Sequence, residues 1–363
     1  MLHVVPTASC VFVLLASFYI ARLLNDTFDV RDDLLKSPAP LNSSQMSKNA
    51  TISKKEAIIR QKRLLMTEGF QIDEMCSELD GTCFFVADYL EEYEGRLYAF
   101  RKLRRKGPEG VLTLSEARIL PPSPLTWENF KTKTWKVAKS TVRLEYARLM
   151  IVGLFFSGAL EFNTTRKQDV LLIGLAGGVV NNYLTTMPNH TIAVTVVDIE
   201  PVMKRLAKKW FDLQESENHK VIIDDGVRFV REAAKKGLKY NAVLLDVCYN
   251  TRRAMMCPIE EFLADDVIEN MRAITADDGA VIVTIITTRE TVEEADRVNF
   301  IFSRHFPSCY LMSDGEYDRM LFCSAKPGNS WLNNRDELYN RYIAVNDALD
   351  FQLTLKKKFI PKD

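Results

Sequence analysis

Histidine is scarce in this chain of 363 residues, and its four copies, at 3, 190, 219 and 305, stand far apart. No Cys-x-x-Cys or His-x-x-x-His spacing occurs, so the pattern that builds a zinc or iron centre is missing and no metal is expected. An excess of either charge is missing too. The 48 Lys and Arg residues balance 48 Asp and Glu, which argues against a nucleic-acid partner held by bulk positive charge. Long apolar runs are confined to 4–21, where 18 residues pass without a charge. The remaining composition, 47% hydrophobic and 26% charged, suits one large domain or a domain with a smaller companion.

The apolar run is just long enough to cross a bilayer as a helix. It lacks a basic n-region and a clean Ala-x-Ala site, so it reads as an uncleaved signal anchor over 1–24 rather than a cleaved leader. A polar stem over 25–52 follows. Asn-x-Ser/Thr sequons stand at Asn25, Asn42, Asn49, Asn163 and Asn189. Outside the anchor, six cysteines fall as three sequence-local pairs, 76 with 83, 248 with 257 and 309 with 323, which an oxidising compartment converts to disulfides. Six buried thiols in a reduced protein is the competing reading. The expectation is a single-pass membrane glycoprotein whose catalytic domain is luminal or extracellular.

Ser53-Lys-Lys-Glu56 has the spacing of a capping box and opens a helix to about Met66. Three strand-like runs follow, Cys83–Leu90, Gly95–Lys102 and Gly110–Arg118, joined by Glu/Gly and Gly-Pro turns. Residues 53–125 thus form a helix and a small antiparallel β unit. The Pro-Pro-Ser-Pro loop at 121–124 separates it from a long apolar helix at 139–160. Residues 126–330 carry the main α/β domain, with strands expected at 169–174, 192–198, 219–223, 240–246, 279–287, 309–312 and 319–325. The first five alternate with helices, including one opened by Pro201 and one at 259–274, which requires a parallel sheet covered on both faces. A hairpin at 313–318 closes the sheet, and 331–363 form a C-terminal helix at 334–355 with a basic tail.

Chemistry concentrates in Asp169–Val180 and Ile192–Pro201. An apolar strand ends in glycines 174, 177 and 178, a helical pattern follows, and a second strand ends in Asp198 and Glu200. Glycines let the chain turn and let a ligand approach the helix N-terminus. An acid at the end of the next strand accepts ribose hydroxyls. Asp225-Gly226 follows the third strand and Asp246 ends the fourth, so strand ends bring Gly174, Gly177, Gly178, Asp198, Asp225, Gly226 and Asp246 to one crevice. A ligand with a ribose, an adenine and a cationic amino-acid tail finds a partner at each. Asp225 and Glu200 also suit helix caps.

At these residues the chain resembles the spermidine-synthase-like branch of class I S-adenosylmethionine enzymes, and within it the C-terminal domain of the methyltransferase-like protein 13 type. The resemblance runs from about Phe84 to Lys326 and includes Asp88–Arg96, Leu114–Arg118, Glu145–Met150, Ile173–Gly178, Val197–Pro201, Asp225-Gly226, Leu245–Val247 and Met320–Cys323. It implies a Rossmann-like class I methyltransferase sheet of seven mostly parallel strands behind a small β domain. It also implies S-adenosylmethionine or its decarboxylated form as donor. Aminopropyltransferases of this branch carry an acid in the glycine loop and an Asp-x-x-Asp pair after the fourth strand. Here the loop reads Gly-Leu-Ala-Gly-Gly-Val and Asp246 is followed by Val-Cys-Tyr-Asn.

Cationic amines need carboxylates to hold them, so polyamine synthesis ranks below methyl transfer. Asp246 and Tyr249 are the catalytic candidates, and a protein amine is the acceptor that the resemblance favours. A catalytically degenerate paralogue remains the non-enzyme reading. A homodimer is compatible with the sequence.

Overall fold

The computed structural model describes residues 53–107, 110–313, 317–328, 331 and 333–354. The expected anchor and stem lie outside the described residues. Among the described residues no helix is long and apolar enough to cross a membrane.

The small unit opens with α1 (Lys54–Thr67), which follows Ser53 as the capping-box spacing requires. Five strands succeed it: β1 (Phe70–Cys76), β2 (Cys83–Tyr93), β3 (Arg96–Gly107), β4 (Gly110–Leu120) and β5 (Lys136–Val137). They form one antiparallel sheet in chain order. β1 and β5 went unread in the sequence, because Phe-Gln-Ile-Asp-Glu-Met-Cys carries too many polar residues and β5 is two residues long.

The main domain contains α2 (Glu145–Phe156), β6 (Gln168–Ile173), α3 (Val179–Thr186), β7 (Ile192–Asp198), α4 (Pro201–Trp210), β8 (His219–Ile223), α5 (Gly226–Lys235) and β9 (Tyr240–Leu245). It continues through β10 (Met255–Cys257), α6 (Asp265–Ile274), β11 (Thr275–Thr287), α7 (Glu294–Ser303), β12 (Ser308–Ser313), β13 (Asp318–Ser324) and α8 (Arg335–Leu349). The sheet runs β12-β13-β11-β9-β6-β7-β8, with β10 added beside β11. Strands β8, β7, β6, β9 and β11 are parallel, and β13 returns antiparallel. This is the expected layout, with two helices corrected. The run at 139–160 is helical only over Glu145–Phe156, and the segment after Pro258 breaks at Ala264 between a 3-10 turn, Glu260–Leu263, and α6.

Period-two burial divides the strands between two cores. Val170 and Leu172 of β6, Ala242 and Leu244 of β9, and Ala280 and Ile282 of β11 face a cluster shared with α2, α3, α4 and α8. Leu171, Ile173, Val243, Leu245, Val281 and Val283 face the other, shared with α5, α6 and α7. Phe84, Val86, Leu103 and Ala117 of the small sheet belong to the first cluster, so its inner face is continuous with the main core. A buried fork seals the junction. Arg101 donates to both Asp88 oxygens at 2.8 and 3.0 Å, to the Trp210 carbonyl at 3.0 Å and to the Thr132 carbonyl at 2.9 Å. Charge-assisted bidentate pairing of this kind is the strong form of the hydrogen bond.

Disulfides join Cys76–Cys83, Cys248–Cys257 and Cys309–Cys323, the three pairs that lie close in sequence. The sequons at Asn163 and Asn189 have a local cause: both residues are exposed and adopt left-handed φ, 55° and 62°, where Asn is favoured over other non-glycine residues. Turn geometry therefore accounts for these two asparagines, and the expectation of a glycoprotein finds no support in them.

Gly153 lets α2 lie directly on β13, because a Cβ there would meet the Phe322 ring at 2.3 Å. Gly153→Ala gains about 1 kcal/mol of helix propensity and loses about 1–3 kcal/mol to overpacking. The expected result is a net loss of up to about 2 kcal/mol, read as a lower urea midpoint at unchanged slope.

Candidate active site

Three strand ends are laced together at the C-terminal edge of the sheet. The Gly174 amide donates to the Val197 carbonyl at 2.8 Å and the Asp246 amide to the Ile173 carbonyl at 2.9 Å. The Leu175 amide donates to Asp198 Oδ2 at 2.7 Å. Gly174 has φ of 104°, and a Cβ on it would lie 2.1 Å from the Asp246 carbonyl oxygen, so no other residue fits. Gly178, at φ 72°, is the residue before α3.

A cavity opens above this crossing, lined by Ser115, Glu116, Tyr146, Gly174, Leu175 and Asp246 with apolar residues of 142–144 and 179–180. Asp246 accepts hydrogen bonds from Thr284 and Tyr146, and burial still pushes its carboxyl up to about 6. The Tyr146 hydroxyl lies 3.4 Å from the Leu114 carbonyl, and burial together with the Asp246 charge holds it well above the usual phenol range. Asp198 is likewise pushed up to about 6 by burial, although it also accepts the Glu200 amide at 2.8 Å. No cation pairs with either acid among the described residues.

The predicted residues divide as follows. Gly174 and Asp246 line the cavity, and Asp198 holds the glycine turn from the end of β7. Gly177 donates its amide to Ser115 Oγ at 3.0 Å, which brings β4 of the small sheet against the turn. Asp225 caps α5 through the Arg228 amide at 3.0 Å and leaves an exposed carboxylate, while Gly226 packs against Ile173 and Phe262. Glu200 caps α4 through the Val202 amide at 2.8 Å, ahead of Pro201 at the first helical position. Tyr249 stands apart from the cavity: its hydroxyl accepts the Glu260 amide at 3.0 Å and donates to Glu261 at 3.2 Å.

Tyr146, Ser115, Glu116 and Thr284 were not singled out from sequence. Their signal is weak, since each meets the site through a partner far along the chain. Glu116 is buried and paired with Lys102 at 3.2 Å and Arg143 at 2.6 Å. The glycine-rich turn, the acids at three successive strand ends and the absence of a paired cation among the described residues fit a nucleoside with a positively charged tail.

No family model matches the chain. Across 181 residues it is 30% identical to an eEF1A lysine and N-terminal methyltransferase homolog of Drosophila pseudoobscura pseudoobscura, covering 47% of this chain and 26% of that protein. The chain is homologous to eEF1A lysine and N-terminal methyltransferases. It spans about a quarter to a third of the length of these relatives. A polyamine aminopropyltransferase of Vibrio vulnificus is 32% identical over 101 residues, covering 28% of this chain and 31% of that protein.

Human methyltransferase-like protein 13, solved in complex with SAH, the demethylated donor, shares the fold. The TM-score is 0.50 at 24% identity, covering 60% of this chain and 96% of that chain. The resemblance read from the sequence is thereby borne out, and the expectation of S-adenosylmethionine as donor agrees with it. The localisation is corrected. With no membrane-crossing helix among the described residues, neither the membrane anchor nor the luminal or extracellular catalytic domain is supported.

The raised acid at Asp246 sets a stability test. The folded state holds this proton up to about 6, whereas an unfolded carboxyl loses it near 3.8, so stability falls as pH rises through that window. Asp246→Asn removes the penalty. The variant should be more stable than the parent by up to about 3 kcal/mol at pH 7, with the difference vanishing below about pH 4; thermal unfolding across pH measures it.

Proposed function

We propose that the protein is an S-adenosylmethionine-dependent methyltransferase acting on an amine of a protein acceptor. The observation that carries this reading is Asp246, a largely enclosed carboxyl beside the glycine turn with two hydroxyl partners and no cation. A buried acid of structural purpose is paired, as Asp88 is with Arg101 in the same molecule. An unpaired one at a ligand cavity suits a positively charged ligand.

The glycine turn and the N-terminus of α3 would hold the tail of the donor, Asp198 its ribose and the exposed edge of Asp225 its base. Ile199 stands 57% exposed directly after Asp198 and offers an apolar surface beside them. Once bound, the donor supplies an electrophilic methyl group on a sulfonium. The chain's own task is to present a neutral amine and take its proton. Asp246, poised at about 6, is suited to accept it, and Tyr146 and Thr284 orient the carboxyl. An N-terminal α-amine, which titrates at about 8, matches this acid better than a lysine at about 10.4.

Polyamine synthesis is the weaker reading. The position of its second acid is Tyr249, whose hydroxyl is engaged by Glu260 and Glu261, and Glu116 is already neutralised by Lys102 and Arg143.

Calorimetric titration with S-adenosylmethionine, S-adenosylhomocysteine and the decarboxylated donor tests the reading. Micromolar binding of the first two with weak binding of the third is expected; preference for the decarboxylated donor would transfer the case to polyamines. Activity should fall about tenfold per pH unit below about pH 6 as Asp246 is protonated. Because the Tyr146 bond lowers the Asp246 pKa, Tyr146→Phe should move this acid limb to higher pH. An unmoved limb would detach Tyr146 from the chemistry.

A further inference from the structure

The segment that follows β9 carries a feature the donor cradle does not use. Two residues beyond Asp246, Cys248 enters a disulfide with Cys257, nine positions further on. The other two disulfides join residues that already oppose each other in antiparallel ladders, Cys76 with Cys83 between β1 and β2 and Cys309 with Cys323 between β12 and β13. Opening either would leave the ladder's hydrogen bonds to hold the strands. Cys248–Cys257 instead ties the loop after β9 to β10, which is paired with β11, and the Tyr249 amide donates to the Met256 carbonyl at 2.9 Å beside it.

Exposure separates this bond from one of the other two, since Cys76 is exposed as Cys248 is. Cys248 is exposed, whereas Cys309 and Cys323 are 7% and 0% exposed. A thiolate in solution therefore reaches Cys248 and not the β12–β13 pair.

The same loop bridges the two sheets. Asn250 donates to Asp80 Oδ2 at 3.0 Å in the β1–β2 turn, and Arg105 of β3 donates to the Asn250 carbonyl. Tyr249 fixes its other flank to the turn at Glu260–Leu263. A movement of 247–257 would therefore shift the chain directly after Asp246 and the rim between the sheets, while the glycine turn and Asp198 keep their own bonds.

We propose that 247–257, which leaves the cavity at Asp246, borders the site on its acceptor side and that Cys248–Cys257 is a thiol-sensitive clamp upon it, closed when oxidised and loosened by a dithiol reductant. The dithiol's thiolate attacks Cys248 Sγ and displaces Cys257 as a thiolate. The reductant's second thiol then closes its own disulfide and releases Cys248. Two electrons pass from the dithiol to the protein, and its two protons end on the two cysteine thiols. The acceptor role rests on the methyltransferase reading, whereas the clamp is read without turnover.

The test uses the full chain, incubated with graded dithiothreitol, quenched by alkylation and mapped by mass spectrometry, with amide exchange followed in parallel. Cys248 and Cys257 should be alkylated at a reductant concentration at least tenfold below that needed for Cys309 and Cys323. Exchange of the Tyr249 amide should then rise at least tenfold, while affinity for S-adenosylhomocysteine changes less than threefold. Methyl transfer to an acceptor peptide should fall about tenfold, through KM. The double variant Cys248→Ser/Cys257→Ser should match the reduced protein and ignore reductant. A free Cys248 thiol before treatment, reduction only together with Cys309–Cys323, or an unchanged Tyr249 amide would each overturn the clamp. Absence of methyl transfer in both redox states would instead count against the proposed function, leaving alkylation and exchange to decide the clamp.

Discussion

The site depends on one close crossing of backbone. Gly174 and the Asp246 carbonyl approach so nearly that a Cβ at 174 would sit 2.1 Å from the oxygen. This crossing lets the turn after β6 and the loop after β9 share one cavity. The amide of Asp246 answers the carbonyl of Ile173, and Asp198 closes the third side through Leu175. A larger residue at 174 would force the two loops apart and separate the turn from the acid beneath it. A parallel sheet supplies this arrangement because neighbouring strands end at the same edge. The glycine supplies the approach.

The small sheet is part of the same machinery. Ser115 of β4 accepts the Gly177 amide, and Glu116 lines the cavity with its charge balanced by Lys102 and Arg143. These contacts need a fixed junction between the sheets, and the Arg101–Asp88 fork provides one inside a continuous apolar cluster. Removing one partner of such a pair leaves a buried charge uncompensated, a cost of about 3–5 kcal/mol. The β unit is therefore a wall of the site rather than a cover over it.

Much of this was legible in the sequence where the signal is local. Alternation of apolar strands with helices gave the five parallel strands, and the glycines with Asp198 and Asp246 marked the edge where the strand ends meet. Glu200 and Asp225 declared themselves as caps by their place before Pro201 and Gly226. What stayed hidden was the long-range pairing. Tyr146 opens a helix whose apolar run looked longer than it is, and its partner Asp246 lies in another strand loop. Tyr249 carried the opposite error: nearness to Asp246 in sequence suggested chemistry, but the loop turns its hydroxyl to Glu260 and Glu261. At Asn163 and Asn189 the sequon pattern does not separate a glycan site from a left-handed turn, where Asn is favoured in any case.

The two raised acids show how stability and function oppose each other here. Burial pushes Asp198 and Asp246 up to about 6, so each destabilises the fold at neutral pH. Asp88, fully buried, has Arg101 gripping both its oxygens. The chain therefore has the means to neutralise an enclosed carboxylate and uses it at the structural junction but not at the cavity. A cation of the protein's own beside Asp246 would stabilise the fold, yet under the proposed function it would repel the sulfonium of the donor and the ammonium of the acceptor. Leaving the acid unpaired costs stability in the free protein, and the proposed function supplies the positively charged ligand that would restore the balance.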